Sequence, residues 1–582
     1  MAEIAAAGGG AAPRWLAHYP TATPHTIDDR INRSLVDLFE EKRQIFGARP
    51  LVESFGASLS CAEVGDIADS IGAFLQARGI KKGDRVAIML PNVAAYIPII
   101  FGILKAGAVV VNTNPLYTPR ELVHQMQDSG ARVIFFLSLF EKTVAAASHE
   151  IHFDTAVRVE VGDLLGLKGR IISLAARRKA HVKARERIGG ALSFRAALRE
   201  GRRRALVPVS VAPGDLAFLQ YTGGTTGVSK GAMLRHSNVV ANVVQCTAWF
   251  GAIVDLENKR QIMVGALPLY HIFGLTACAF FMLNIGGCSL LIANPRDLQG
   301  FIATLRKRPF TILAGINTLF AALIDQPAFA EIDFSRFELC VSGAMATKSI
   351  VAERWKQITG RPIVEGYGLS ETSPGVTFNR ADIDGFTGTI GFPWPSTLVE
   401  IRDTSGEPVP EGGIGEICVQ GPQVMLGYWN RPEETAQAFT ADGFFRTGDM
   451  GTMLPDGQFK LVDRLKEVII VSGFNVYPNE VEDVIARMPQ VREVAVVGLP
   501  DEHSGEAVTA VVVARDEPPT PEQVREHCRQ MLTGYKVPKL VLFRDELPKS
   551  NVGKVLRRVI REETIGKRGV ALGGDLSSRA ST

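Results

Sequence analysis

The sequence lacks the short motifs that mark common metal and cofactor sites. It contains no H-E-x-x-H motif, no cluster of cysteine and histidine at metal-ligand spacing and no G-x-G-x-x-G fingerprint. Its seven cysteines are odd in number, and no two of them form a C-x-x-C pair. We therefore expect buried thiols in a reducing cytoplasm, because the pattern argues against both a disulfide framework and a zinc site.

A strong net charge is missing as well. The 64 Lys and Arg residues nearly balance the 61 Asp and Glu residues, and the resulting charge of +3 neither requires nor excludes a nucleic-acid partner. Residues 1–13 are rich in Ala and Gly and lack the basic segment of a signal peptide. At 582 residues, with 46% apolar and 21% charged positions, the chain is expected to form two or more globular domains.

One long stretch, residues 261–295, has no formally charged side chain. It is interrupted by Pro268, by Gly274 and by a glycine pair at 286–287. Because its apolar segments are short, we predict a buried strand at 262–267, a buried helix at 272–285 and a second strand at 289–293. A membrane-spanning helix is the alternative interpretation.

Residues 220–231, with the sequence QYTGGTTGVSKG, contain four Gly, three Thr, one Ser and one Lys. An apolar run at 216–219 precedes them and predicts a buried strand. Glycines let backbone N–H groups converge, while the hydroxyls and Lys230 add donors and positive charge. This composition indicates a cradle for an anion, and a nucleotide phosphate is the favoured ligand.

The loop has three other interpretations. A P-loop requires Gly before the Lys and Ser or Thr after it, but Ser229 and Gly231 occupy those positions. The pentapeptide 227–231 fits G-x-S-x-G, yet a nucleophile elbow needs a strand that runs directly into the serine. The third interpretation is a flexible surface loop.

Further polar motifs follow along the chain. In 365–372, EGYGLSET, Tyr367 offers a flat face for a purine, Ser370 a phosphate donor and Glu371 an oxygen ligand for Mg²⁺. In 442–449, DGFFRTGD, Asp449 is suited to accept ribose hydroxyls. In 548–554, PKSNVGK, Lys554 could neutralise a phosphate or carboxylate. Each motif also has a purely structural interpretation. The segment 365–372 could be an ordinary turn, Asp449 a turn-capping residue and Lys554 an exposed surface residue.

The alternation of strand-like and helix-like segments from residue 35 predicts an α/β fold with helices covering the sheets. We expect an irregular arm at 1–34 and a large N-terminal domain of mixed sheets at 35–462. Within it, turn-rich strands at about 385–460 suggest a distorted, barrel-like subdomain. A small, mobile α+β domain at 463–564 is expected to begin at a hinge, Asp463, and residues 565–582 are expected to be disordered.

The segment 168–204 is rich in Lys and Arg and has few acidic residues. A patch that contacts anionic membrane and a solvated basic insertion explain it equally well. Nucleic acid is not an expected partner, because few aromatic residues are interleaved with the charges.

Together these motifs resemble the adenylate-forming superfamily of acyl-CoA synthetases, luciferases and nonribosomal-peptide adenylation domains. The resemblance spans roughly residues 35–558, with the motifs in the family's order. Ser370 stands where many members have Thr, which preserves the hydroxyl. The segments that carry the resemblance are 221–231, 267–274, 366–371, 446–449, Asp463 with Arg464, and Lys554.

The resemblance implies roles for individual residues. Lys554, His271 and Glu371 would be catalytic, with Glu371 also the Mg²⁺ ligand, and Asp463 would be the hinge. Ser472, Gly473 and Phe474 would lie on the CoA side. The residues implied in ATP binding are Thr222, Gly223, Gly224, Thr225, Thr226, Lys230, Gly366, Tyr367, Gly368, Ser370, Asp449 and Arg464.

Within the superfamily, segments 111–122, 471–480 and 532–539 resemble bacterial long-chain fatty-acid–CoA ligases. The resemblance implies an enzyme that uses ATP and Mg²⁺ to activate a long-chain fatty acid as an acyl-adenylate and then transfers the acyl group to CoA. Peripheral contact with an anionic membrane and a homodimer stay open. The alternatives are an adenylating enzyme for a medium-chain or aryl acid or for an acyl carrier protein, and a non-catalytic nucleotide-binding scaffold.

Overall fold

The computed structural model describes residues 13–27, 31–180, 188–222, 229–501, 503–515, 517–550 and 553–566. In chain order the strands are β1 (Pro50–Ser54), β2 (Ala57–Ser60), β3 (Arg85–Met89), β4 (Val109–Asn112), β5 (Val133–Leu137), β6 (Thr155–Val159), β7 (Leu192–Ser193), β8 (Leu216–Thr222), β9 (Lys230–Arg235), β10 (Ile262–Gly265), β11 (Cys288–Leu291), β12 (Ile312–Gly315), β13 (Leu339–Ser342), β14 (Ile363–Gly368), β15 (Gly375–Phe378), β16 (Phe392–Pro393), β17 (Leu398–Arg402), β18 (Gly415–Gln420), β19 (Phe445–Met453), β20 (Phe459–Arg464), β21 (Ile469–Val471), β22 (Phe474–Val476), β23 (Val491–Asp501), β24 (Gly505–Ala514) and β25 (Leu540–Phe543).

The helices connect and cover these strands. They are α1 (Leu35–Phe46), α2 (Cys61–Ala77), α3 (Tyr96–Lys105), α4 (Pro119–Ser129), α5 (Glu141–Ala147), α6 (Gly166–Lys179), α7 (Phe194–Gly201), α8 (His236–Gly251), α9 (Ile272–Leu275, continued by Thr276–Phe281 and Met282–Asn284), α10 (Leu298–Lys307), α11 (Asn317–Ile324), α12 (Ser349–Thr359), α13 (Pro432–Gln437), α14 (Pro478–Ile485), α15 (Pro521–Met531) and α16 (557–566).

Two large sheets confirm the predicted α/β fold. The first has the order β7-β6-β5-β3-β4-β8-β9, in which β9 alone is antiparallel to its neighbour. The second has the order β16-β15-β14-β13-β12-β10-β11-β1-β2 and is parallel from β14 to β1. Their central strands are buried along their whole length, which explains why they are apolar runs without alternation.

The uncharged stretch at 261–295 folds as the strand, helix and strand that its punctuation predicted. Strands β10 and β11 pair in parallel, and α9 between them is buried. The middle of α9, Thr276–Phe281, is π-helical, a detail that the sequence pattern did not predict. Within the part of the chain that the structure describes, no helix combines the length and apolar character that crossing a bilayer requires.

Two smaller antiparallel-rich sheets follow. Strands β17 to β20 form a four-stranded sheet that stays open, so the predicted barrel-like subdomain is a sheet without closure in the described residues. The remaining strands form the separate C-terminal α+β unit, in which β21 to β25 pack with α14 and α15 around their own core. These elements confirm the predicted mixed α/β fold with a small C-terminal domain.

Both ends of the described chain are more ordered than their composition suggests. Residues Arg14–His18 form a 3₁₀ helix in which Trp15 is buried. The Tyr19 hydroxyl donates a hydrogen bond to the Pro393 carbonyl at 2.5 Å. At the other end α16 includes residues 565 and 566, which the sequence had assigned to the tail, while residues 567–582 lie outside the described part.

Candidate active site

The glycine-rich loop is the connection of a β-hairpin. Strand β8 ends at Thr222, and β9 begins at its cross-strand partner, Lys230. A strand follows the loop where a P-loop or a nucleophile elbow would need a helix, so the structure excludes both. The Ser229 hydroxyl donates to the Thr222 carbonyl at 2.7 Å, and this bond links the two ends of the loop. The predicted phosphate-binding residues Gly223, Gly224, Thr225 and Thr226 lie outside the described residues.

Lys230 faces an aromatic and acidic neighbourhood. Its ammonium group forms an ion pair with Glu434 in α13 and lies 5.0 Å from the centre of the Tyr428 ring. The Tyr428 hydroxyl donates to Glu371 Oε1 at 2.9 Å. Tyr428 therefore joins the predicted phosphate-binding Lys to the predicted metal ligand.

Neither Tyr428 nor Glu434 was found from the sequence. Glu434 occupies the first turn of α13 behind Pro432, where an acid is expected for helix stability alone. The aromatic turn before α13 was the only available signal for Tyr428.

Three predicted nucleotide-binding residues meet around one carboxylate. The Tyr367 hydroxyl donates to Asp449 Oδ2 at 2.7 Å, and Arg464 Nε lies 3.1 Å from Asp449 Oδ1. Asp449 and Arg464 are direct cross-strand partners in β19 and β20. The open sheet thus brings the ribose motif and the hinge motif beside the end of β14.

The glycines beside Tyr367 are explained by close packing. A Cβ atom at Gly366 would lie 2.1 Å from the Phe378 ring, and one at Gly368 would lie 1.9 Å from the Pro374 carbonyl oxygen. Ser370 then opens a 3₁₀ turn that carries Glu371. Glu371 is buried, and its desolvation raises the pKa of its carboxyl group above the usual range.

Lys554 reaches the same cleft from the C-terminal domain. Its backbone N–H donates to Ser550 Oγ at 3.1 Å, and Ser550 N donates to the Lys554 carbonyl at 2.7 Å. The preceding Gly553 has φ +80°, and a Cβ there would lie 2.7 Å from Thr318 Oγ1 in the large domain. The turn around Lys554 is therefore seated against α11.

Lys554 lies close enough to Arg464, Asp449 and His271 for their charges to interact. Desolvation, with repulsion from Arg464 as the second cause, lowers the pKa of Lys554 to about 8, while Glu467 and Asp449 act in the opposite direction. Desolvation likewise lowers the pKa of His271 to about 4, and the charge of Lys554 adds to the effect. His271 is therefore a neutral imidazole at pH 7.

The predicted hinge residue lies in β20, paired with Met450 of β19, and its side chain is bonded to the C-terminal domain. The Asp463 carboxylate accepts hydrogen bonds from Arg464 N at 2.8 Å and from Asn479 N, in the first turn of α14, at 2.7 Å. Arg557 lies 3.3 Å from Asp463 and also bonds Glu482 and Asn479. Desolvation outweighs these partners and raises the pKa of Asp463 to about 6. The sequence missed Arg557, because nothing distinguishes it from its neighbour Arg558 except burial.

The residues predicted on the CoA side lie in a hairpin turn of the C-terminal domain. Ser472 and Gly473 connect β21 to β22 with φ values of +50° and +84°. Phe474 is 57% exposed and stacks on Tyr535, with ring centres 4.9 Å apart. Ser472 N donates to the Ser504 carbonyl, and Phe474 pairs with Val471 and stacks on Tyr535, so these contacts lie within the small domain.

A narrow cavity with an entirely apolar lining adjoins this cleft. It lies between α8, α9 and the strands of the nine-stranded sheet, and Phe273, Ala277 and Trp394 are among its lining residues. A Cβ at Gly343 would lie 3.0 Å from the Phe273 ring and 3.5 Å from the Gly366 carbonyl oxygen. Phe273 and Phe378, which both line the cavity, therefore lie close to the backbone around Gly366, so the apolar cavity adjoins the nucleotide motif.

Comparisons with known proteins agree with this arrangement. The family described as AMP-binding enzyme matches residues 39–429, and the AMP-binding enzyme C-terminal domain matches residues 480–554. A long-chain-fatty-acid–CoA ligase of Escherichia coli is 46% identical over 555 residues, which cover 95% of this chain and 98% of the relative. A feruloyl-CoA synthase of an Amycolatopsis species is 35% identical and covers 87% of this chain and 94% of the relative. The ATP-bound MatB structure from Rhodopseudomonas palustris superposes with a TM-score of 0.75 at 28% identity and covers 91% of this chain and 98% of that one.

Proposed function

Because the chain belongs to the AMP-binding enzyme family, we propose that it is an ATP-dependent ligase that joins a long-chain fatty acid to coenzyme A. The observation that carries the proposal is the shared cleft. There Lys554, Arg464 and Asp449 lie near a cavity whose apolar lining is suited to an acyl chain. The 46% identity over 95% of the chain to a ligase of this activity supports the same substrate class.

In the first half-reaction a carboxylate oxygen of the fatty acid attacks the α-phosphorus of ATP, and pyrophosphate leaves. Negative charge accumulates where two anions meet, so positioning and neutralisation dominate catalysis. Lys554 would bridge the carboxylate and the α-phosphate. Asp449 would hold the ribose hydroxyls, with Arg464 beside them, and Thr222 and Lys230 would bind the leaving phosphates.

His271 borders the acyl side of the cleft. It precedes α9, whose Phe273 and Ala277 line the cavity, and it stays neutral at pH 7. A neutral imidazole can direct the carboxylate by a hydrogen bond without adding a charge that would trap it. We assign His271 to orienting the fatty acid at the mouth of the cavity.

The residues present fit a Mg²⁺ ion that arrives with ATP. The described residues contain no group of three or more His, Cys, Asp or Glu side chains that could hold a metal ion by themselves. Magnesium in nucleotide sites uses one or two carboxylates plus phosphate oxygens and water. The buried Glu371 carboxylate, bonded by Tyr428, supplies one such ligand, and the bound ion would neutralise phosphate charge.

In the second half-reaction the CoA thiol attacks the acyl carbon of the acyl-adenylate, and AMP leaves. Phe474 stacks on Tyr535 within the C-terminal domain, whereas the turn that carries Lys554 lies against Thr318 of the large domain. We therefore propose that the C-terminal domain rotates about Asp463 after adenylation, which withdraws Lys554 and brings the β21–β22 turn to the CoA channel. In this proposal, the arrangement with Lys554 in the cleft is the one that carries out adenylation.

A panel of acids in an ATP–pyrophosphate exchange assay tests the substrate. Fatty acids of increasing chain length should support exchange better than acetate or aryl acids, because each buried methylene contributes about 0.8 kcal/mol. The relative named feruloyl-CoA synthase favours an aryl acid as the second candidate, and a preference for ferulate or benzoate would replace the first. A comparison of CoA with acyl carrier protein as the acceptor completes the test.

We also propose peripheral contact with an anionic membrane. A long-chain fatty acid partitions into bilayers, and Lys and Arg are abundant in the segment 168–204.

A further inference from the structure

Helix α6 carries a stripe of exposed aliphatic side chains. Leu167, Ile171 and Leu174 are 78%, 71% and 52% exposed. Their spacings of four and three residues place them on one face of the helix. We call this outward face, formed by Leu167, Ile171 and Leu174, the docking face.

The opposite face of α6 is firmly attached to the protein. A Cβ at Gly169 would lie 1.9 Å from the Gly162 carbonyl oxygen, so the helix backbone touches the preceding loop. The Gly162 N–H donates to Ser173 Oγ at 3.0 Å, while Ile172 and Ala176 pack on the main core. The docking face is therefore held toward solvent by packing on its other side.

The charges of α6 are of one sign. The helix contains five Lys and Arg residues and no Asp or Glu. Arg177, one helical repeat after Arg170 on the same edge of the stripe, forms an ion pair of 3.3 Å with Glu160. At about 100° per residue, Arg170 and Lys168 flank the apolar stripe on either side, and Arg178 and Lys179 stand at its C-terminal end.

We infer that the docking face of α6 seats the enzyme on the surface of an anionic lipid bilayer. The three aliphatic side chains would insert among the lipid acyl chains, and the cations beside them would contact the anionic headgroups. A second copy of the chain fits poorly, because an isologous contact would bring two sets of positive charges together. This inference specifies the proposed membrane contact and is independent of the ligase chemistry.

Co-sedimentation of the full-length protein with vesicles tests the inference. Binding should be stronger to phosphatidylglycerol-containing vesicles than to phosphatidylcholine alone and should weaken with salt. The triple variant Leu167→Ser, Ile171→Ser, Leu174→Ser should bind the anionic vesicles at least about tenfold more weakly. The double variant Arg170→Glu, Lys179→Glu should bind the anionic vesicles more weakly by a similar factor, because only the charge has changed.

A matched control removes three exposed aliphatic side chains elsewhere, with Ile45→Ser, Ile350→Ser and Ile414→Ser. It should bind vesicles like the wild type. Acyl-CoA synthesis from detergent-dispersed fatty acid should be unchanged in every variant, which separates this inference from the proposed reaction.

Three results would overturn the inference. They are equal vesicle binding by the triple variant and the wild type, equal binding to neutral and anionic vesicles, and a dimer in sedimentation velocity that the triple variant alone abolishes. The last result would assign the docking face to a second copy of the chain.

Discussion

At the scale of single residues, the charge state of Lys554 should control adenylation. Its pKa is lowered to about 8, so the fraction of the ammonium form falls as the pH rises through that value. The kcat/KM for ATP–pyrophosphate exchange should therefore decline above about pH 8, and Lys554→Arg should remove the decline. Lys554→Ala should slow adenylation by about 10²-fold or more, as loss of a charge-stabilising group does. The same variant should still convert supplied acyl-adenylate and CoA, and equal loss of both half-reactions would contradict this role.

Tyr428 should position the metal ligand. Tyr428→Phe removes the hydrogen bond to Glu371 but keeps the ring beside Lys230. Hydrogen bonds to charged groups contribute about 1.5–3 kcal/mol, so adenylation should need at least tenfold more Mg²⁺ for half-maximal rate at fixed ATP. Glu434→Gln, which frees Lys230, is the matched control and should change the KM for ATP with little effect on the Mg²⁺ titration. Identical Mg²⁺ curves for Tyr428→Phe and the wild type would show that the bond is structural only.

Some residues of the site stand in distinctive local motifs, and these residues were predicted from the sequence. Asp449 and Tyr367 stand in short glycine-punctuated segments, and the structure joins them by a hydrogen bond. Tyr428, Glu434 and Arg557 lie in segments that ordinary helix and turn chemistry already explains. Their partners are distant in sequence, so only tertiary packing identifies them.

At the scale of elements, α9 should set the length of acyl chain that the cavity accepts. Its π-helical segment turns Thr276, Ala277 and Phe281 toward the cavity. Ala277→Phe should fill part of the cavity and reduce exchange with long-chain acids by at least tenfold, because each methylene that loses its burial costs about 0.8 kcal/mol. Exchange with short acids should be retained.

A substitution that enlarges the cavity provides the control for Ala277→Phe, which fills part of it. Trp394 stacks on Phe378 with ring centres 5.0 Å apart, and Trp394→Ala should enlarge the cavity and favour longer or bulkier acids. The same acid panel measures both variants, and a parallel loss for all chain lengths would refute a role in length selection.

The elements themselves were largely predictable, since buried parallel strands are short apolar runs between glycine turns. The open edge of the β17–β20 sheet and the π-helical segment of α9 were not, because neither has a distinct period in sequence. The packing of the N-terminal arm on the large domain was not predicted either. Trp15 packs edge-on against Phe459, with ring centres 5.9 Å apart, and no periodic pattern in the arm indicates this contact.

At the scale of the whole molecule, partly exposed ion pairs are among the contacts that join the two domains. Lys348 Nζ, at the start of α12, lies 2.6 Å from Asp483 in α14, and Arg515 lies 4.0 Å from Asp325. Partly exposed ion pairs contribute about 0.2–1 kcal/mol each. Such contacts can hold the adenylation arrangement while leaving the C-terminal domain free to rotate.

A covalent bridge at the same place should separate the two half-reactions. The variant Lys348→Cys, Asp483→Cys can be bridged with a short bis-maleimide, and the seven native cysteines are buried, which limits side reactions. The bridged enzyme should keep ATP–pyrophosphate exchange, because Lys554 stays seated against Thr318, but should lose transfer to CoA by at least about tenfold, since the rotation is blocked. Each single-cysteine variant, treated in the same way, should retain both activities. Full acyl transfer by the bridged enzyme would mean that the β21–β22 turn need not move, and the hinge at Asp463 would then serve only to join the domains.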